Sequence, residues 1–231
     1  MAYPETIARQ ARAIVEQELN RIGFPTTFEF NEAIEILGAA VAFWGERMNL
    51  TAAPEDPAEL AFHILDSMMP LVLAAVRADT AAIRGAFAKG RCVLDLGSGA
   101  GFPALVLAAL APADFVLLEA RRKRVSFLTV AAAEMGLRNV TIESVRAEPS
   151  SMEPDFDTVI ARAFANPSEF YPVARAALKP GGIAILYVTA TQSLELAQAR
   201  QAGLSDYVRL EYEVPRGEKS AYRALAVFHR R

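Results

Sequence analysis

Hydrophobic positions in the first third of the chain recur at helical spacing. Ile7, Ala11, Ile14, Val15, Leu19 and Ile22 fall on one helix face, and Gly23 followed by Pro25 stops that helix. The same spacing predicts a second helix from Phe28 to Trp44. A third runs from about Glu59 to Val76, after the proline-flanked turn APEDP. No strand pattern interrupts residues 1–85. From Arg91 onward the pattern changes to short apolar runs. These predict strands at 92–96, 114–119, 140–145, 157–161 and 182–188, with helices at 102–111, 122–136, 167–178 and 191–202. Two last strands, near 206–213 and 221–229, follow each other with no helical pattern between them.

Alternating strands and helices imply an α/β fold, a mostly parallel sheet covered on both faces. The final pair, joined by the loop PRGEKSA, predicts an antiparallel hairpin at one side of that sheet. The expected organisation is a helical N-terminal cap over residues 1–85, packed on a sheet domain over residues 86–231.

Composition narrows the class. Of 231 residues, 53% are hydrophobic and 22% charged, which suits one soluble domain with a substantial core. The start, MAYPETIARQ, lacks the pattern of a secretory signal. The longest apolar run, FPALVLAALAPA, is bracketed by prolines and too short to cross a bilayer. A cytoplasmic protein with no membrane partner is expected. Cys92 is the single cysteine, so an intrachain disulfide is impossible, and inside RCVLDL it reads as an inert, buried thiol. With two histidines and one cysteine, the usual ligands of a zinc cluster are lacking, and no metal is expected. The net charge of −3 argues against a surface given over wholly to nucleic acid, while allowing a local basic patch.

The chemistry concentrates in RCVLDLGSGAGFPALVLAALAPADFVLLEA, residues 91–120. A phosphate-binding P-loop would close on Gly-Lys-Ser/Thr, and none follows. A dinucleotide fingerprint needs Gly-x-Gly-x-x-Gly/Ala, but the glycines here are Gly97, Gly99 and Gly101, with Phe102 at the sixth position. The third glycine comes one place too early. A glycine turn with only a topological job is the bland alternative. The spacing from Asp95 through Gly97, Gly99 and Gly101 resembles motif I of the class I S-adenosylmethionine (SAM) methyltransferases. SAM carries no phosphate, and glycine lets the main chain approach its methionine and ribose because it has no Cβ. Asp95 resembles the acidic residue of that motif. Glu119, at the end of the next strand, is placed to accept hydrogen bonds from ribose hydroxyls. NAD would use an acid similarly, so Glu119 supports an adenosyl ligand without separating the two.

Further segments occur in a fixed order: MNLTA (48–52), HILDS (63–67), GSGAGFP (97–103), KRVSFL (123–128), VRAE (145–148) and ARAFA (161–165). With the helical N-terminal part they resemble the glucose-inhibited division protein B family, methyltransferases of guanine N7 in 16S ribosomal RNA. The resemblance runs from about residue 30 to residue 228. It implies a Rossmann-like class I methyltransferase with a seven-stranded sheet, SAM as cofactor, and 16S ribosomal RNA or the small ribosomal subunit as partner of a monomeric enzyme. It implies a cofactor set of Asp95, Gly97, Ser98, Gly99, Gly101, Phe102, Glu119, Ala120, Arg146, Ala147, Glu148 and Arg162. Arg162 would also serve catalysis. Asn49, His63, Asp66, Ser67, Lys123, Arg124 and Arg223 would meet the substrate.

The residues themselves also allow blander roles: a solvated run for Arg121 to Arg124, a structural His63, a surface Asp66 and a turn Asn49. Phe43 and Trp44 read as cap packing. Arg162 interrupts the apolar run DTVIARAFA, where an unpaired, buried guanidinium would be costly. The chain departs from the family pattern at Phe62, where a basic residue usually precedes the histidine, and at Val188 or Thr189, where lysine is usual. Each lost phosphate contact weakens RNA affinity. Two alternatives stand beside rRNA methylation: a diverged relative acting on a small molecule or another RNA, and a SAM-binding ribosome-associated factor without turnover.

Overall fold

The computed structural model describes residues 3–164 and 166–231. Met1, Ala2 and Ala165, the last residue of ARAFA, lie outside the described residues. Three helices come first: α1 (Pro4–Ile22), α2 (Phe28–Met48) and α3 (Pro57–Val76). Their ends have local causes. Gly23, at φ 69°, ends α1 in a left-handed turn, with the Gly23 and Phe24 N–H groups donating back to Asn20 and Leu19. The Thr27 hydroxyl caps α2 by accepting from Phe30 N, and the Asp56 carboxylate caps α3 by accepting from Ala58 N. The second helix runs one turn past the expected Trp44. It stops at Asn49, which takes the left-handed conformation with φ 51°.

The rest alternates: β1 (Cys92–Leu96), α4 (Ala104–Leu110), β2 (Asp114–Leu118), α5 (Arg122–Glu134), β3 (Val140–Glu143), β4 (Phe156–Arg162), α6 (Pro167–Ala177), β5 (Leu178–Thr189), α7 (Leu196–Gln201), β6 (Leu204–Arg216) and β7 (Lys219–Arg230). A short 3-10 turn at Pro149–Ser151 precedes β4 and has no periodic signal. The seven strands are ordered β3-β2-β1-β4-β5-β7-β6, parallel except that β7 runs antiparallel to both β5 and β6. The chain leaves β1 toward β2 and β3, then returns to place β4 on the other side of β1. The carboxyl ends of β1 and β4 therefore flank a topological switch point, where open α/β sheets form their ligand crevice.

Apolar side chains fill both faces of the sheet. On one face Ile7, Val15, Leu19, Phe30, Leu37 and Val41 belong to the same buried cluster as Leu105, Phe115 and Phe127. The three N-terminal helices thus share a core with α4 and α5. On the other face Leu94, Leu96 and Val159 pack with Phe170, Tyr171 and Phe228. The third helix corrects one expectation. It is long and apolar enough to cross a membrane by length and composition, but 67% of that window is buried inside the protein. The hairpin also differs from expectation, because β6 and β7 continue through PRGEKSA to a tight turn at Gly217 and Glu218. Strand β5 pairs with β7 only as far as Arg223, so the hairpin tip projects past the sheet.

Candidate functional site

The turn after β1 is built on three left-handed glycines: Gly97 at φ 77°, Gly99 at φ 55° and Gly101 at φ 85°. Only Gly101 is also sterically locked, since a Cβ there would lie 2.5 Å from Leu105 Cδ1. The N–H groups of this turn are mostly engaged internally. Gly97 N and Ser98 N donate to Leu118 O at 2.9 and 3.1 Å, Gly99 N to Glu119 Oε2 at 3.1 Å, and Gly101 N to Ser98 O at 2.7 Å. Four donors that would cradle a phosphate are thereby withdrawn, so the turn is suited to a ligand without one.

A cleft of about 780 Å³ opens beside this turn, above the switch point. One wall is Gly97, Ser98, Gly99, Ala100 and Phe102. The rest of the lining includes Glu59, Phe62, His63 and Asp66 of α3, Arg124 of α5, Arg162 at the end of β4, Tyr187 and Thr189 of β5, and Arg223 of β7. The carboxylate of Asp66 is wholly buried and organises these groups. Its Oδ1 accepts from Tyr212 Oη at 2.8 Å and Arg223 Nε at 3.1 Å, and its Oδ2 accepts from Arg162 Nη1 and Arg223 Nη2, both at 3.2 Å. Burial by itself would raise its pKa, but the guanidiniums of Arg162 and Arg223 outweigh that and hold the carboxyl below its usual range. Two guanidiniums face one carboxylate, leaving an excess positive charge at the cleft.

Arg162 is further fixed by a bond to His63 O at 3.3 Å, and its guanidinium carbon lies 5.2 Å from the centre of the Phe102 ring. The His63 ring stacks on the other neighbour of that group, Phe102, at 5.4 Å and 28°. Burial, reinforced by Arg162, pushes the His63 pKa down to about 3, so the imidazole is neutral at physiological pH. Tyr187 donates to Ser67 O at 2.9 Å, and burial keeps its phenol protonated. On the glycine side, Asp95 is buried under the turn with Oδ2 lacking any partner. Burial pushes its carboxyl up to about 7, against the pull of the Ser98 hydroxyl and Arg162.

Gly97, Ser98, Gly99, Phe102, His63, Asp66, Arg124, Arg162 and Arg223 thus meet in one cleft. Other expected site residues stand elsewhere. Two substrate assignments need correction. Ser67 is fully buried and its hydroxyl donates to His63 O, so it has no free surface for a substrate. Asp66 has both oxygens engaged, so it acts on a ligand only through the arginines it holds. Asn49 caps α2, and its carbonyl accepts from Arg124 Nη2 at 2.7 Å. Lys123 is exposed and lies outside the cleft wall. Gly101 and Glu119 lie behind the wall, where the Glu119 carboxylate braces the turn through Gly99 N and Arg121 N, the latter at 2.8 Å. Exposed Ala120, and Arg146, Ala147 and Glu148 of the loop after β3, also stand outside it. Among the described residues no group of three or more His, Cys, Asp or Glu side chains is placed to hold a metal. The half-buried Cys92 thiol has its pKa raised by burial.

Sequence reasoning missed Tyr187, Tyr212, Glu59 and Arg216. Glu59 carried one signal, its i,i+4 spacing to His63, and Nε2 of that histidine lies 3.5 Å from its carboxylate. The two tyrosines sit in strands whose pattern marks them only as core.

Residues 30–221 match the family model described as rRNA small subunit methyltransferase G, GidB. Proteins named ribosomal RNA small subunit methyltransferase G include one from Nitrosococcus oceani, 37% identical over 140 residues, covering 60% of this chain and 59% of that protein. Another, from Chromohalobacter salexigens, is 34% identical over 178 residues and 77% of each chain. The match thus spans about three fifths of the Nitrosococcus protein's length. Among solved structures, the precorrin-6y C5,15-methyltransferase of Geobacter metallireducens superposes with a TM-score of 0.52 at 16% identity, covering 71% of this chain and 87% of that one. That likeness carries the fold.

Two stability predictions follow from the geometry. Asp66→Ala leaves two buried guanidiniums facing each other, and urea unfolding should show a loss of roughly 3–5 kcal/mol. Gly101→Ala combines positive φ with the Leu105 overlap and should lose roughly 1–3 kcal/mol in the same measurement.

Proposed function

The chain belongs to the rRNA small subunit methyltransferase G family, and from that premise we propose that it transfers the methyl group of S-adenosylmethionine to N7 of a guanine in 16S ribosomal RNA. The observation that carries this reading is the shared cleft. A glycine turn with its N–H groups already engaged faces two guanidiniums that are held, with charge to spare, by one buried carboxylate. The first feature suits a phosphate-free adenosyl ligand, and the second suits an electron-rich base.

The residues present fit SAM. Asp95 Oδ2 is a buried acceptor without a donor, which the methionine ammonium would supply. Gly97, Ser98 and Gly99 line the cleft, with no Cβ at 97 or 99 to hold a ligand off the main chain. When bound, SAM brings a methyl carbon made electrophilic by its sulfonium. Guanine N7 has an exposed lone pair, so no side chain needs to remove a proton before attack. The work left to the protein is orientation. Arg162, pinned by Asp66, His63 O and the Phe102 ring, presents donors suited to guanine O6 beside N7. Arg223, pinned to the same carboxylate, adds positive charge beside it. His63 stays neutral and contributes ring surface rather than charge.

The open cleft favours an enzyme over a SAM-binding scaffold, and Arg124 and Arg223 on one cleft favour an RNA substrate. Lys123 does not add to that support. A cytoplasmic monomer acting on ribosomal RNA or the small subunit belongs to the same proposal. So does a division of labour in which residues 1–85 shape the substrate side and residues 86–231 hold the cofactor.

The decisive experiment incubates the protein and labelled SAM with intact small subunits, naked ribosomal RNA and a metabolite extract. Label is expected at guanine N7 of the ribosomal RNA; label only in small molecules would refute the assignment. Measured well above pH 7, where Asp95 is ionised without the pull of Arg162, Arg162→Ala should keep SAM affinity while slowing transfer by about 10²-fold or more. Equal losses of both would place Arg162 in the wrong role. Asp95 gives a pH dependence. Its carboxyl is neutral below about 7 and cannot pair with an ammonium, so SAM affinity should tighten between about pH 6 and 7.5. Calorimetric titration of Asp95→Asn should show weaker binding without that pH dependence.

A further inference from the structure

The tip of the β6–β7 hairpin reaches over the mouth of the cleft and places a guanidinium there. Arg216, the last residue of β6, pairs with Lys219 across the turn, beyond the point where β5 supports the hairpin. Its Nε and Nη2 donate to the two oxygens of Glu59 on α3, at 2.6 and 2.7 Å. Its guanidinium carbon lies 4.8 Å from the centre of the Phe62 ring. A fork on a carboxylate and a stack on a ring fix both the position and the plane of the group. The Glu59 side chain is nearly buried, with 9% exposure, whereas that of Arg216 is 50% exposed.

Such an arrangement is more than a tether between cap and hairpin. An arginine has five N–H donors, and two are used on Glu59. The rest belong to a half-exposed side chain that lines the cleft. The fork removes the rotamer freedom an arginine otherwise loses on binding, so the free edge is preorganised. Phe62 is where the family resemblance calls for a basic side chain, and Arg216 holds its charge directly over that ring.

We propose that Arg216 binds the ribose-phosphate backbone of the RNA at the cleft mouth, with Glu59 and Phe62 as the positioning residues that orient it. The inference rests on the RNA-methyltransferase reading above. A strand entering the cleft passes the tip, where the free edge of the guanidinium takes a phosphate oxygen in a charge-assisted bond. The charge missing from position 62 is thereby supplied by a residue on another element, held by Glu59 on the same helix as Phe62.

The test is methylation of intact small subunits by wild type, Arg216→Ala, and the double variant Arg216→Ala/Phe62→Lys, over a range of salt, with SAM affinity measured in parallel. Wild-type label in the subunits establishes the parent reading; its absence would bring down that reading and this one together. Given wild-type activity, Arg216→Ala should raise the subunit KM about tenfold while kcat and SAM affinity hold. The dependence of log(kcat/KM) on log salt should flatten by about 0.7–0.9, the equivalent of one phosphate contact. Phe62→Lys in that background returns a cation to the same spot, three residues from Glu59 on the same helix face, and should recover most of the KM and the salt slope. An unchanged salt slope, a loss confined to SAM affinity or kcat, or a double variant no better than the single one would each overturn the proposal.

Discussion

A carboxylate buried with no exposure, between two guanidiniums and a phenol, is the constraint on which the site depends. Asp66 comes from α3, Arg162 from the end of β4, Tyr212 from β6 and Arg223 from β7, so one side chain ties the N-terminal helices to three strands. Any one of these groups, buried without the others, would be strongly unfavourable. Together they are satisfied, and the charges do not cancel. The residual positive charge is held at the floor of a cleft, where low dielectric strengthens its pull on an electron-rich ligand.

The other side of the cleft works by the opposite means. The glycine turn offers little charge and few free donors, because Leu118, Glu119 and Ser98 take its N–H groups. Glu119 in this arrangement braces the turn, with one oxygen on Gly99 N and the other on Arg121 N. Asp95, beneath the turn, has an acceptor unmatched by any donor of the protein. The glycine turn and the arginine cluster thus bring opposite chemistries to one cleft.

The hairpin links this floor to solvent. The same strand pair that delivers Arg223 to Asp66 carries Arg216 outward to Glu59 and Phe62. One hairpin thus carries two arginines to the lining of the cleft, although the chain as a whole is net negative at −3. Bulk charge is therefore a poor guide to the surface that matters.

Most of the architecture was legible from the chain. Helical and alternating periodicities, the stop at Gly23, the glycine turn of 97–101 and the final strand pair are local properties, set by φ/ψ preferences and by which face of an element is apolar. The 3-10 turn at Pro149–Ser151 and the last turn of α2 were not, because they lack a repeating pattern or end on a conformation that several residue types adopt. What only the packed structure decided is the pairing of charges. Whether Asp66 meets a substrate or serves as counter-ion depends on Arg162, Tyr212 and Arg223, which lie 96 to 157 positions away and reach it through the crossover and the hairpin. Sequence spacing carries periodicity along one element; it does not carry the distance between groups that meet only when several elements share a core.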